Sequence, residues 1–234
     1  MTRRDRLALW VLPVLFALTL VVMRQAGMPF WQHFNLDPSY YYLLNGLRIV
    51  EGLAPTDVSH PGTPIQLLIA VVMRAMHPGS SAEQIVDLVL ASPEHYLVAT
   101  TNVVYVLAAV SLWAMGRAIL TTTGLLWPAL LAQSAPFMSR VIPKFGLHPK
   151  PEIFMVIAVA LLAVVALQMV RSGRATDRQA ALAGVVMGLG IACKVHFAVL
   201  GVVPLLLLDR RRFAIYAAVT IAAFLVFVAP AIPS

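Results

Sequence analysis

The side chains of this 234-residue chain whose types and spacing could do chemistry fall in four places. Asp37 stands in Phe34-Asn35-Leu36-Asp37-Pro38-Ser39-Tyr40-Tyr41-Tyr42. A carboxylate there could act as a general base, bind a divalent cation such as Mg or Mn, or only cap a helix that starts at Pro38. His60 lies in Ser59-His60-Pro61-Gly62-Thr63-Pro64. Two prolines around a glycine fix an unusual backbone path, a turn that either presents the imidazole or merely contains it. The third place is the run from Arg140 through Lys144, His148 and Lys150 to Glu152. Three cations and a histidine in a short loop suit a phosphate or pyrophosphate, because ammonium and guanidinium groups stabilise charge on phosphoryl oxygens. Headgroup contact, or pairing with Asp57 and Glu83, would use the same charges. Lys194, fourth, ends the run Gly184-Val185-Val186-Met187-Gly188-Leu189-Gly190-Ile191-Ala192-Cys193-Lys194. It either reaches headgroups or joins the basic loop as a phosphate contact.

The elements that must position these groups are membrane helices. With 60% hydrophobic residues, 12% charged and a mean hydropathy of +0.86, the chain has more apolar surface than a water-soluble domain can bury. That excludes a disordered chain, a disulfide scaffold and a soluble enzyme. The single Cys193 makes no internal disulfide and no thiolate metal site. Zinc spacing and nucleophile elbows are absent, and Gly188-Leu189-Gly190 lies inside an apolar span, so it is no dinucleotide fingerprint. Spans are expected at about 7–23, 96–120, 125–142, 153–170, 180–193, 195–208 and 213–229, which predicts an all-α integral membrane protein of about seven transmembrane helices. The first reads as a retained anchor, since 24–29 is a poor cleavage site. The middles of the spans hold almost no ionisable groups, which argues against an ion-coupled transporter.

The net charge of +7 gains meaning from where the charges lie. A cytoplasmic N-terminus puts Arg3, Arg4, Arg6, Arg117, Arg171, Arg174, Arg178, Arg210, Arg211 and Arg212 on one side, as short basic loops require. They follow topology rather than forming a basic face interleaved with aromatics, so no nucleic-acid partner is expected. The agreement needs 65–76, about a dozen residues and too short to cross, to lie in the outer interface. A single membrane module of 1–234 follows, with a first external loop over 24–95 and a helix bundle over 96–234. Inside that loop, 37–51 reads as a helix, and Ser80-Ser81-Ala82-Glu83 reads as a capping box opening a short helix through Leu90. Ser92-Pro93-Glu94 starts the second span as N-cap, first-turn proline and first-turn acid. Gly184 and Gly188 have the spacing that lets membrane helices approach closely. Arg140, Lys144, Lys150 and Lys194 are the external cations that orientation does not account for.

In this order the pieces resemble the polytopic glycosyltransferases of the GT-C superfamily. The likeness is to the polyprenyl-phosphate-sugar-dependent group that includes protein O-mannosyltransferases and the aminoarabinose transferase of lipid A. It is carried by a first span followed at once by an outer loop with Asp37 and a tyrosine-rich helix, by the His60-Pro61 turn leading into an interfacial helix, and by the Gly184 to Lys194 run. The resemblance implies an inverting transferase, seated in membrane lipid, that moves a sugar from a polyprenyl-phosphate donor to an acceptor (protein, lipid or glycan). It would work on the extracytoplasmic face of a bacterial cytoplasmic (inner) membrane. Asp37 would be the base or help place a divalent cation. Lys144, Lys150, Lys194 and Arg140 would hold the donor phosphate, with His60, Glu152, His148 and Tyr41 as further site residues. The chain departs from the pattern where Pro38 and Ser39 follow Asp37, since such enzymes commonly carry a second acid there. It also stops just after the last span, while many members are about twice as long. Either the membrane module suffices, or this is a truncated and inactive GT-C module. A non-catalytic protein that binds or flips polyprenyl lipid would need the cations but not the carboxylate.

Overall fold

A computed structural model describes residues 2–32, 38–56 and 62–232, and every regular element among them is a helix. Four helices are long and apolar enough to cross a membrane: α1 (Arg3–Ala26), α5 (Pro93–Thr123), α8 (Pro151–Arg171) and α11 (Arg210–Val228) with the 3-10 turn that extends it to Ala231. All four match expected spans. Their outward faces are apolar; along α11 only Tyr216 is buried, while Ile221, Leu225 and Val226 stand exposed. Such a surface suits hydrocarbon, where a helix satisfies its own backbone and its side chains need no water.

The other expected spans are shorter or broken. The 125–142 stretch is α6 (Leu126–Ser134), a 3-10 turn (Ala135–Met138) and α7 (Val141–Gly146), because Pro136 and Pro143 lack the N–H that a continuous helix needs. The 180–193 stretch is α9 (Asp177–Cys193), opened by a Thr176–Gln179 capping box. The 195–208 stretch is a 3-10 turn (Val195–Gly201) followed by α10 (Val202–Leu205).

Helix α1 shows how sequence dictates packing. Thr2 and Asp5 form a reciprocal capping box, and Leu9, Pro13, Phe16, Leu20 and Arg24 make the one buried stripe, at helical spacing. Pro13 cannot donate to the Leu9 carbonyl, which would orphan an acceptor inside the bundle. Gln133 of α6 fills the vacancy: its Nε2 donates to Leu9 O at 3.0 Å and to Leu112 O of α5 at 3.1 Å. Gly116 makes this possible, since a Cβ there would collide with the Gln133 amide.

Helices α1 and α5 run antiparallel. Trp10 stacks on Trp113 at 4.8 Å, while beyond the other end of α1 Phe30 N–H donates to Glu94 at 3.2 Å. Helices α9 and α11 run parallel in close contact: a Cβ on Gly184 would meet Tyr216 O at 2.8 Å, and one on Gly188 would meet Ala223 Cβ at 2.6 Å. Arg6, Arg117 and Arg171 line adjoining clefts, Arg211 pairs with Asp177, and Arg174 with Asp209, so the arginine clusters collect at one end of the bundle. At Asp209, the Arg212 backbone N–H and then the Arg212 charge hold the carboxyl below its ordinary value of 3.8.

Toward the other end lie α2 (Ser39–Val50), α3 (Thr63–Met76) and α4 (Ala82–Ala91). The segment expected in the outer interface is α3, and its face of Ile65, Ile69 and Met73 is fully covered by protein, in one core with Leu43, Leu47, Leu97 and Tyr105. Two details differ from the sequence reading. The capping box of α4 is Ser81–Gln84 rather than Ser80–Glu83: Gln84 N–H donates to Ser81 Oγ at 3.2 Å and Ser81 N–H to Gln84 Oε1 at 2.9 Å. Ser80 N–H instead closes the preceding turn on His77 O. At α5, Ser92 occupies the N-cap position but its side chain caps nothing.

Candidate functional site

A cavity of about 650 Å³ extends from the middle of the bundle to Glu152 and Lys194 at the end away from the arginines. Its wall comes from α5 (Leu112, Met115), the α6–α7 segment (Pro136, Val141, Ile142, Phe145) and α8 (Met155, Val156, Val159), and it is almost wholly apolar. The helix is interrupted beside this space by the 3-10 turn at Ala135–Met138 and by extended backbone at Ser139. The polar exceptions in the wall are Glu152, on the first turn of α8, and Lys194, the residue that ends α9. Lys194 Nζ donates to Glu152 Oε1 at 2.7 Å. The side chains are 23% and 21% exposed, so each charge is largely withdrawn from water and depends on the other. Glu152 Oε2 is buried and has no hydrogen-bond partner among the described residues.

Beside this pair, Lys150 is 1% exposed, with its ammonium 5.6 Å from the centre of the Phe145 ring. His148 is buried as well, its ring 5.7 Å from Phe30 and its Nδ1 2.9 Å from Ser39 Oγ. That bond ties the start of α2 to the loop before α8. A second tie joins the start of α3: Gly62 N–H donates to Cys193 O at 3.3 Å, with Gly62 at φ +49°, a left-handed conformation that favours glycine.

The sequence-derived candidates therefore separate. Lys150, Lys194, Glu152 and His148 gather at or beside the cavity. Lys144 and Arg140, on and before α7, are exposed and do not line it, and Tyr41 is 52% exposed on the outer face of α2. Its neighbour Tyr40 turns inward and donates to Glu94 Oε1 at 2.9 Å; burial first, then this bond, pushes the phenol up to about 12. Asp37 and His60 lie outside the described residues, and with them the possible cation role of Asp37. Among the described residues no three of His, Cys, Asp and Glu come together to hold a metal.

Comparison with protein-family models, curated proteins and solved structures finds no match to this chain. What the arrangement can do chemically must be read from the site itself. An apolar chamber with a cation at its edge has the chemistry to match an amphiphile with an anionic head and a hydrocarbon tail. Sequence reasoning missed the chamber, since Phe145, Met155 and Val156 look like any other apolar residues of a span. It also missed Glu94, which gathers Phe30 N–H and Tyr40 O–H and anchors the outer helices on α5. An acid following a first-turn proline was the signal for a cap, not for a bridge between elements.

Proposed function

We propose that this chain is a membrane glycosyltransferase that takes a sugar from a polyprenyl-phosphate donor. It transfers that sugar to an acceptor on the side of the membrane away from the arginine clusters. The observation that carries the reading is the apolar cavity lined at its edge by the Lys194–Glu152 pair, with Lys150 against Phe145 of the same wall. The prenyl chain lies along α8 among Met155, Val156 and Val159, and its phosphate meets the Lys194 ammonium. In the empty site Glu152 neutralises Lys194; in the loaded site the phosphate shares that cation. Four long helices, α9 and the two broken segments supply seven passes, with α2–α4 outside.

In this reading the acceptor oxygen or nitrogen forms a bond to the anomeric carbon as the bond from that carbon to the phosphate oxygen breaks. The proton leaves the acceptor for the Asp37 carboxylate, and the negative charge on the departing lipid phosphate is taken up by the lysines. The role of Asp37 rests on the GT-C resemblance, supported by its position two residues before Ser39, which bonds His148. The test is transfer of labelled sugar from a polyprenyl phosphate in membranes carrying the protein. Asp37→Asn should lower it by about 10²–10⁴-fold, as loss of a general base does. Unchanged transfer in that variant removes the proposed base.

The cavity also favours a second reading, since a protein that only binds or flips polyprenyl lipid would use the same chamber and cations. Binding of polyprenyl phosphate without any transfer, and indifferent to Asp37→Asn, would select it.

A further inference from the structure

The arginine end divides into two halves that treat charge differently. In the α9/α11 half, Arg174, Arg211 and Arg212 are matched by Asp177 and Asp209, while Arg178 and Arg210 have no ion-pair partner among the described residues. In the α1/α5/α8 half, Arg6, Arg117 and Arg171 have no ion-pair partner among the described residues. These three line two adjoining clefts of about 450 and 350 Å³ that share Trp113 and Arg117. Arg6 and Trp10 complete the first; Thr121, Thr122, Gln168 and Arg171 complete the second. The Arg117 guanidinium lies 5.6 Å from the centre of the Trp113 ring, and Trp113 stacks on Trp10 with only 15° between the planes.

Each feature fits the boundary between hydrocarbon and water. The clefts sit at the first turns of α1 and the last turns of α5 and α8. Tryptophan rings favour that level. Below it the outer face of α1 is bare and apolar at Val11, Val14 and Leu18. Guanidinium forks pair with phosphate oxygens two bonds at a time, and basic pockets between helix ends hold anionic headgroups. Two threonine hydroxyls and an amide beside them suit the hydroxyls of a polyol.

We propose that this α1/α5/α8 surface is a binding site for an anionic phospholipid of the surrounding leaflet. The lipid phosphate lies between Arg117 and Arg171, the polyol of the headgroup meets Thr121, Thr122 and Gln168, and an acyl chain runs down the exposed face of α1. The site is separate from the lipid-phosphate cavity and stands whether or not sugar transfer takes place there. A bound lipid of this kind fastens α1, α5 and α8 together where direct ion pairs do not.

The experiment is native mass spectrometry of the full chain in detergent after exposure to phosphatidylglycerol or phosphatidylcholine. Thermal unfolding is followed in parallel. Phosphatidylglycerol should be retained preferentially and should raise the melting temperature. Arg117→Gln and Arg171→Gln should each lower its retention about fivefold, as the loss of one interfacial arginine predicts. Arg178→Gln, which removes an arginine that lines neither cleft, should leave retention unchanged. If Arg117→Gln does not fold, Arg171→Gln carries the test alone, and its melting temperature in lipid-free detergent should equal that of the parent. Three outcomes would overturn the site. They are equal retention of the two lipids, an equal loss with Arg178→Gln that marks diffuse surface charge, and displacement of the lipid by inorganic pyrophosphate at equal concentration, which marks a soluble ligand.

Discussion

The two ends of the bundle use the same kinds of charged side chain in opposite ways. At the arginine end Arg211 meets Asp177 at 2.8 Å with its side chain 78% exposed, and Arg174 meets Asp209 at 3.9 Å with 79% exposed. At the cavity end Lys194 and Glu152 meet at 2.7 Å with about a fifth of each exposed, and Lys150 is fully enclosed. Water already stabilises the first set, so pairing adds little. The second set has given up hydration, and each member holds a neighbour in place because the alternative is a bare charge in an apolar wall. Desolvation alone does not separate the two ends, since the Arg212 side chain is only 16% exposed, but Arg212 is met by both Asp177 and Asp209 and does not line the apolar cavity.

Removing one member of a pair at each end gives the largest contrast. Lys194→Ala strands the Glu152 carboxylate and should cost about 2 kcal/mol in thermal or denaturant unfolding, less than a fully buried pair because some water still reaches it. Lys194→Met with Glu152→Leu should recover most of that loss. Next in size, Val156→Trp fills the cavity and should lower polyprenyl-phosphate binding by about tenfold while leaving the fold intact, since the space is already present. At the arginine end, Arg211→Ala should cost below about 1 kcal/mol; a loss equal to that of Lys194→Ala would break the contrast. The smallest effect is at Asp209. Its carboxyl is held below 3.8 in the folded chain, so its contribution is present above that value and is lost as pH falls through the lower, folded value. Unfolding followed from neutral to acidic pH should therefore show a dependence that Asp209→Asn flattens.

The long helices were legible because twenty apolar residues have only one economical fate in lipid, and α1, α5, α8 and α11 exceed the expected limits by at most four residues at either end. The broken segments were not, although Pro136 and Pro143 stood in plain view. An apolar run looks the same whether it is continuous or folded back at a proline. At the site, Lys194 and Glu152 were singled out for charge alone; their pairing across 42 positions depends on α8 and α9 meeting at one end, which no local pattern encodes. The split between Lys150 and Lys144 follows from the turn of α7, where a difference of six positions separates an enclosed ammonium from a solvated one.

Gln133 carries a consequence for the order in which the chain assembles. Its amide is fully buried and is held by carbonyls on α1 and α5, one of them made available by Pro13. During membrane insertion an amide in hydrocarbon without those acceptors is penalised. The α6 segment therefore gains its resting place only after α1 and α5 lie side by side. The cavity, which needs α6 and α7 for one wall, is among the last features of the molecule to form.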